Sequence, residues 1–92
     1  MIPVHPGRIL KRELKARSLS ANRLALALRV PSGRVTMILN GKRAISPETA
    51  LRLARYFGNS AQFWLNLQTS FDLAMAERKI GDTITAEVDE VV

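Results

Sequence analysis

Twenty residues, Ser20 to Leu39 (SANRLALALRVPSGRVTMIL), constrain this chain more than any other segment. Leu24, Ala25 and Leu28 fall on one face of a first short helix, and Val35, Ile38 and Leu39 fall on one face of a second. Only a tight turn fits between them. Two helices with apolar faces this small must bury them against each other, and a small residue, Ala25, stands where they touch. The polar remainder of the second helix, Ser32, Arg34 and Thr36, is left free to enter a groove.

Start and stop signals divide the rest of the chain. Pro6 and Gly7 open a helix that runs to about Arg17, with Leu10 and Leu14 four residues apart on one side and Arg8, Lys11, Arg12 and Lys15 around the rest. Ser20 is placed to cap the helix Ala21 to Leu28, Pro31 fits the first turn of the next helix, and Gly41 ends that helix. Ser46-Pro47-Glu48 repeats the start signal, and Ala50, Leu53, Ala54 and Phe57 follow at i, i+3, i+4 and i+7 until Gly58. Ser60 caps a fifth helix, from Ala61 to about Lys79, whose apolar residues cover more than one face. The excess predicts a second buried contact, most simply a symmetric homodimer, with Phe63, Trp64, Leu67 and Phe71 at its seam and at least one of the two adjacent aromatics closing the core instead. Beyond Gly81 the alternation of Ile84, Ala86 and Val88 with polar residues predicts a short strand or a mobile tail. The expected fold is therefore an all-α, five-helix bundle: a domain over residues 1–80 that includes the dimerisation helix, and an acidic tail over 81–92.

Composition narrows the function. Ninety-two residues make one small domain. There is no cysteine and one histidine, His5, so a disulfide framework and the common zinc sites are excluded, and no metal or cofactor is expected. Glu13, Glu48 and Glu77 lie on three different helices and form no carboxylate pair in a pocket motif, so an enzyme is not expected. No apolar run approaches the roughly 20 residues that span a bilayer, and a signal-type N-terminus is lacking, which predicts a cytoplasmic protein without a membrane partner. Residues 1–79 hold all 14 Lys and Arg against Glu13, Glu48, Asp72 and Glu77, a net +10, while residues 80–92 hold only Asp82, Glu87, Asp89 and Glu90, a net −4. A basic body of this kind is the footprint of a polyanion binder, and no helix joins a broad apolar face to a lysine-rich one as a membrane binder would.

A helix-turn-helix lays its second helix in the DNA major groove, with the side chains near that helix's N-terminus meeting base edges. Here that exposes Ser32, Gly33, Thr36 and Met37, with Arg34 at the margin. Asn22 and Arg23 at the start of the first helix, and Asn40, Lys42 and Arg43 after the second, are placed for phosphates. The base-reading set is sparse, and Gly33 offers no side chain, so close backbone approach or DNA shape must carry part of any specificity. The expected partner is double-stranded DNA with an inverted-repeat operator.

Leu24-Ala25, Val35, Ile38 and Asn40-Gly41-Lys42 resemble the Cro and phage-repressor (lambda-repressor-like) helix-turn-helix. Over roughly residues 3 to 79 the chain is similar to HigA-type antitoxins of bacterial toxin–antitoxin operons. That resemblance rests on His5-Pro6-Gly7, Asn40-Gly41-Lys42-Arg43 with Ile45-Ser46, Thr49-Ala50-Leu51-Arg52-Leu53-Ala54, and above all Phe63-Trp64-Leu65-Asn66-Leu67-Gln68. It implies an antitoxin that silences a HigB-type mRNA-endonuclease toxin and, as a homodimer, represses its own operon. A stand-alone phage-type regulator is the alternative, separable by the presence of a toxin gene beside this one; a helix-turn-helix used as a protein adaptor would show no preference for DNA. Two departures from the family pattern stand out: Arg29 occupies a turn position that is often glycine, and Arg8 one that is often acidic.

Overall fold

The computed structural model describes residues 2–91 and consists of five helices: α1 (Pro6–Ala16), α2 (Ala21–Leu28), α3 (Ser32–Leu39), α4 (Pro47–Phe57) and α5 (Ala61–Glu87). Three of the helices start on serine hydroxyls. Ser20 accepts from the Arg23 amide at 3.1 Å, Ser46 from Thr49 at 3.2 Å and Ser60 from Phe63 at 3.0 Å, each satisfying an amide that the first turn leaves unpaired. α1 uses its imidazole instead: His5 Nδ1 accepts from the Gly7 amide at 2.9 Å. α3 begins at Ser32 with Pro31 in the capping position, one residue later than the proline suggested, and has no side-chain cap.

The turn between α2 and α3 is closed by Arg29 in the left-handed conformation, φ 60° and ψ 45°, and the Val30 amide reaches back to the Ala25 carbonyl at 3.0 Å. A side chain in that conformation costs about 1–2 kcal/mol, which is why glycine is favoured at such a turn. Part of the cost is offset from α4, where Arg52 Nη1 donates to the Leu28 carbonyl at 2.9 Å and satisfies an end group of α2.

Leu10 and Leu14 of α1, Leu24, Ala25 and Leu28 of α2, Val35 and Ile38 of α3, Ile45, Ala50 and Leu53 of α4 and its approach, and Trp64 of α5 form one core. Every apolar residue that marked the two short helices by spacing lies in it or packs on it. Gln68 is buried one turn beyond Trp64; its Oε1 accepts from the Ile45 amide at 2.8 Å and its Nε2 donates to Asp72 Oδ1 at 2.9 Å. A buried amide side chain thus ties the loop before α4 to α5.

Two expectations are corrected here. The strand over residues 84–88 does not form: α5 runs unbroken through Gly81 to Glu87, and the remaining described residues, 88–91, have no regular structure. The spacing of Ile80 and Ile84, four apart, suits one helical stripe as well as the alternation of Ile84, Ala86 and Val88 suits a strand, and a single glycine costs a helix only about 1 kcal/mol. Trp64 is the second correction. Its ring is wholly enclosed by its own chain, with Nε1 donating to Asn59 Oδ1 at 2.9 Å, so it closes the core and has no free surface for a seam.

Candidate nucleic-acid interface

α3 presents two faces because Val35 and Ile38 are pinned in the core while their neighbours point away. Ser32, Gly33, Thr36 and Met37 are exposed together along the outer side. A Cβ at Gly33 would meet nothing within 4 Å, so this turn of backbone is open to close approach. Thr36 Oγ1 donates back to the Ser32 carbonyl at 3.3 Å. Met37 is 43% exposed, a flexible apolar side chain on an otherwise polar surface and suited to a thymine methyl.

The cationic residues frame this face. Asn22 and Arg23 are exposed in the first turn of α2. Asn40, Lys42 and Arg43 are exposed in the loop after α3, and that loop is tied to the helix it follows: the Asn40 amide donates to Thr36 at 3.0 Å, Gly41 to Ile38 at 3.0 Å, and Lys42 to Met37 at 2.9 Å. Gly41 sits at φ 72°, where a side chain would be strained. Position and chemistry are therefore fixed together, so Lys42 and Arg43 extend from the end of the reading face.

Arg34, at the margin of that face by sequence, lies toward a neighbouring helix. Its side chain is only 22% exposed and is turned toward α4, with Nη1 3.5 Å from Glu48 Oε2. The same carboxylate oxygen accepts from Arg52 Nε at 3.0 Å. Hydrogen bonding and charge from Arg52, with further charge from Arg34, hold the Glu48 carboxyl below its ordinary range.

A second assembly underlies the loop. The His5 ring meets Phe71 of α5 edge-on at 4.9 Å, lies about 3.8 Å from where a Cβ on Gly41 would be, and has the Arg43 backbone beside it. Burial holds its imidazole below the ordinary value of 6.5, against Asp72 and the Arg43 contact, which both raise it. One residue thus caps α1 and props the loop that carries Lys42 and Arg43. Sequence reading placed His5 at the turn but not against α5, and it did not single out Gln68, whose i, i+4 relation to Trp64 was the available signal.

The four seam residues are distributed differently from the sequence expectation. Phe63 is 42% exposed, Leu67 and Phe71 are half-buried against their own chain, and Trp64 is internal. Larger unpaired apolar surface lies further along α5, at Leu73, Met75, Ile80 and Ile84. Among the described residues there is no cluster of potential metal ligands, and no helix is long and apolar enough to cross a membrane.

Two short helices crossed on a small residue, an outward polar face on the second, and cations at both ends of that face define a helix-turn-helix domain of the DNA-binding class. The helix-turn-helix family model matches residues 10–64, from the middle of α1 to Trp64. Virulence-associated protein I of Dichelobacter nodosus is 53% identical over 79 residues, which are 85% of this chain and 73% of that protein. An addiction module antidote protein of the HigA family from Coxiella burnetii superposes with a TM-score of 0.96 at 51% identity over 99% of this chain and 100% of its own. The Pseudomonas aeruginosa antitoxin HigA, solved with the higBA promoter, gives a TM-score of 0.96 at 43% identity over 98% and 99% of the two chains. The chain belongs to the helix-turn-helix family and, within it, to the HigA antitoxins.

Proposed function

We propose that this chain is a DNA-binding antitoxin that represses its own operon as a homodimer and neutralises a HigB-type mRNA-endonuclease toxin, acting in the cytoplasm where that operon lies. The observation that carries the DNA-binding part is the shared face: Ser32, Gly33, Thr36 and Met37 lie exposed on α3, with Asn22 and Arg23 before them and Asn40, Lys42 and Arg43 after. Base readout falls to Ser32, Thr36 and Met37, and phosphate positioning to the flanking groups. A relative of 43% identity that was solved with its promoter supports the same use of the fold here. The toxin-neutralising part rests on membership of the HigA family. The chain is built for recognition, not catalysis.

The test is fluorescence anisotropy of the purified chain on the DNA upstream of its own gene and on scrambled DNA of equal length, across a salt series. Preference for the upstream DNA that persists as salt rises is the expected result; equal binding to both, lost with salt, would reduce the chain to a nonspecific basic domain. Co-expression with the neighbouring reading frame should yield a co-purifying complex and relieve growth arrest.

A further inference from the structure

Arg34 is a cation on the reading helix that the reading face does not use. It is the third residue of α3, yet it lies against α4, with Nη1 3.5 Å from Glu48 Oε2 and its Nε enclosed without a hydrogen-bond partner. Glu48 is itself held in place. Its Oε2 also takes Arg52 Nε at 3.0 Å, and Arg52 Nη1 is anchored on the Leu28 carbonyl at 2.9 Å. A chain of contacts therefore runs from the end of α2 through Arg52 and Glu48 to Arg34, fixing on which side of α3 the guanidinium lies.

We propose that Glu48 is a specificity-determining residue: it holds Arg34 off the DNA, so that the reading helix presents base-reading groups without an additional phosphate grip. The inference rests on α3 being the helix that reads DNA. Stability gives a poor account of the arrangement. The carboxylate is 62% exposed, the Arg34 contact is at the long end of hydrogen bonding, and a buried guanidinium nitrogen is left bare, a penalty that an apolar side chain of similar length would avoid. Specificity gives a better one. A free arginine beside the groove would add about one phosphate contact on any sequence, and each such contact steepens the salt dependence of binding by about 0.9. With only Ser32, Thr36 and Met37 to distinguish bases, one additional sequence-blind contact would dilute the discrimination that matters against the many competing sites of a genome.

The experiment is a set of anisotropy titrations on operator and scrambled duplexes, over a fourfold range of salt, with the parent, Glu48→Gln, Arg34→Ala and the double variant. Glu48→Ala is run beside Glu48→Gln, and thermal unfolding is recorded for each, so that a folded carboxylate-free protein is in hand. Freed from its partner, Arg34 should make Glu48→Gln bind scrambled DNA several-fold more tightly, with a slope steeper by about 0.9 and a smaller operator preference. In the Arg34→Ala background the same change should do nothing. An equal gain in both backgrounds would show only the loss of an acid repelling phosphates, and no gain in either would show that Arg34 is not restrained; both overturn the proposal. A parent that fails to prefer its operator would instead overturn the DNA-reading function beneath it.

Discussion

A side chain at position 7 would collide with the Ile38 carbonyl, because α1 begins directly against the end of α3. Glycine is needed there for closeness, not for an unusual backbone. Gly7→Ala should therefore lower stability by more than about 2 kcal/mol, the range of an overpacked core, as read from urea unfolding. His5, two residues earlier, makes stability depend on pH. Its Nδ1 must be unprotonated to accept from Gly7, and burial lowers its affinity for a proton below that of the unfolded chain. As pH falls the unfolded chain takes up the proton first, so stability should be level above about pH 6.5 and decline below it until the folded ring also titrates. His5→Asn keeps an acceptor for the cap without a titration in this range. Thermal unfolding from about pH 5 to 8 should show the decline in the parent and not in His5→Asn. Both residues were visible in the sequence as a His-Pro-Gly turn; their partners, Ile38, Gly41 and Phe71, were not, because each lies more than thirty residues away.

Among the elements, α3 and the loop behind it divide the labour of binding. Thr36 stands exposed in the second turn of the reading helix, whereas Arg43 lies in a loop that the helix end holds by three backbone bonds. Thr36→Ala should change the order of preference among operator variants with little change in salt dependence. Arg43→Ala should weaken all DNA about equally and reduce the salt slope by about one. If both variants matched the parent on every duplex, α3 would not be the reader. The outer face of α3 was legible from sequence because helical spacing alone assigns Val35 and Ile38 to the inside. Arg34 shows where that legibility stops. Spacing puts it at the margin, and its pairing with Glu48, fourteen residues on and brought alongside by the packing of α4, was not visible in the sequence.

At the scale of the molecule, α5 sets the shape. The chain measures 52 × 22 × 21 Å, and from its middle onward α5 carries Leu73, Ile80 and Ile84 exposed at a spacing that lines them along one side. A stripe of that kind suits a second copy of the chain, and the prediction is a seam beyond the Phe63–Phe71 segment. Ile80→Asp should leave the helical content intact, shift the mass in sedimentation from dimer to monomer, and cost most of the operator affinity. A dimer that reads an inverted repeat holds its two α3 helices about 34 Å apart, so operator binding should fail when half a turn is inserted between half-sites. Persistence of the dimer in Ile80→Asp would move the seam back toward Phe63 and Phe71.

By itself the sequence determined the five helices, the serine caps of α2, α4 and α5 and the residues on the outer face of α3, because those properties depend on neighbours three or four positions apart. The tertiary structure decided which of two adjacent aromatics is internal, that Gln68 and His5 hold the loop after α3, that Arg34 is paired with Glu48, and that α5 continues past Gly81. All but the last depend on the direction from which another helix arrives, which a one-dimensional pattern of apolar residues does not specify. The last arises because the alternation over 84–88 suits a strand as well as the helix that forms through Glu87.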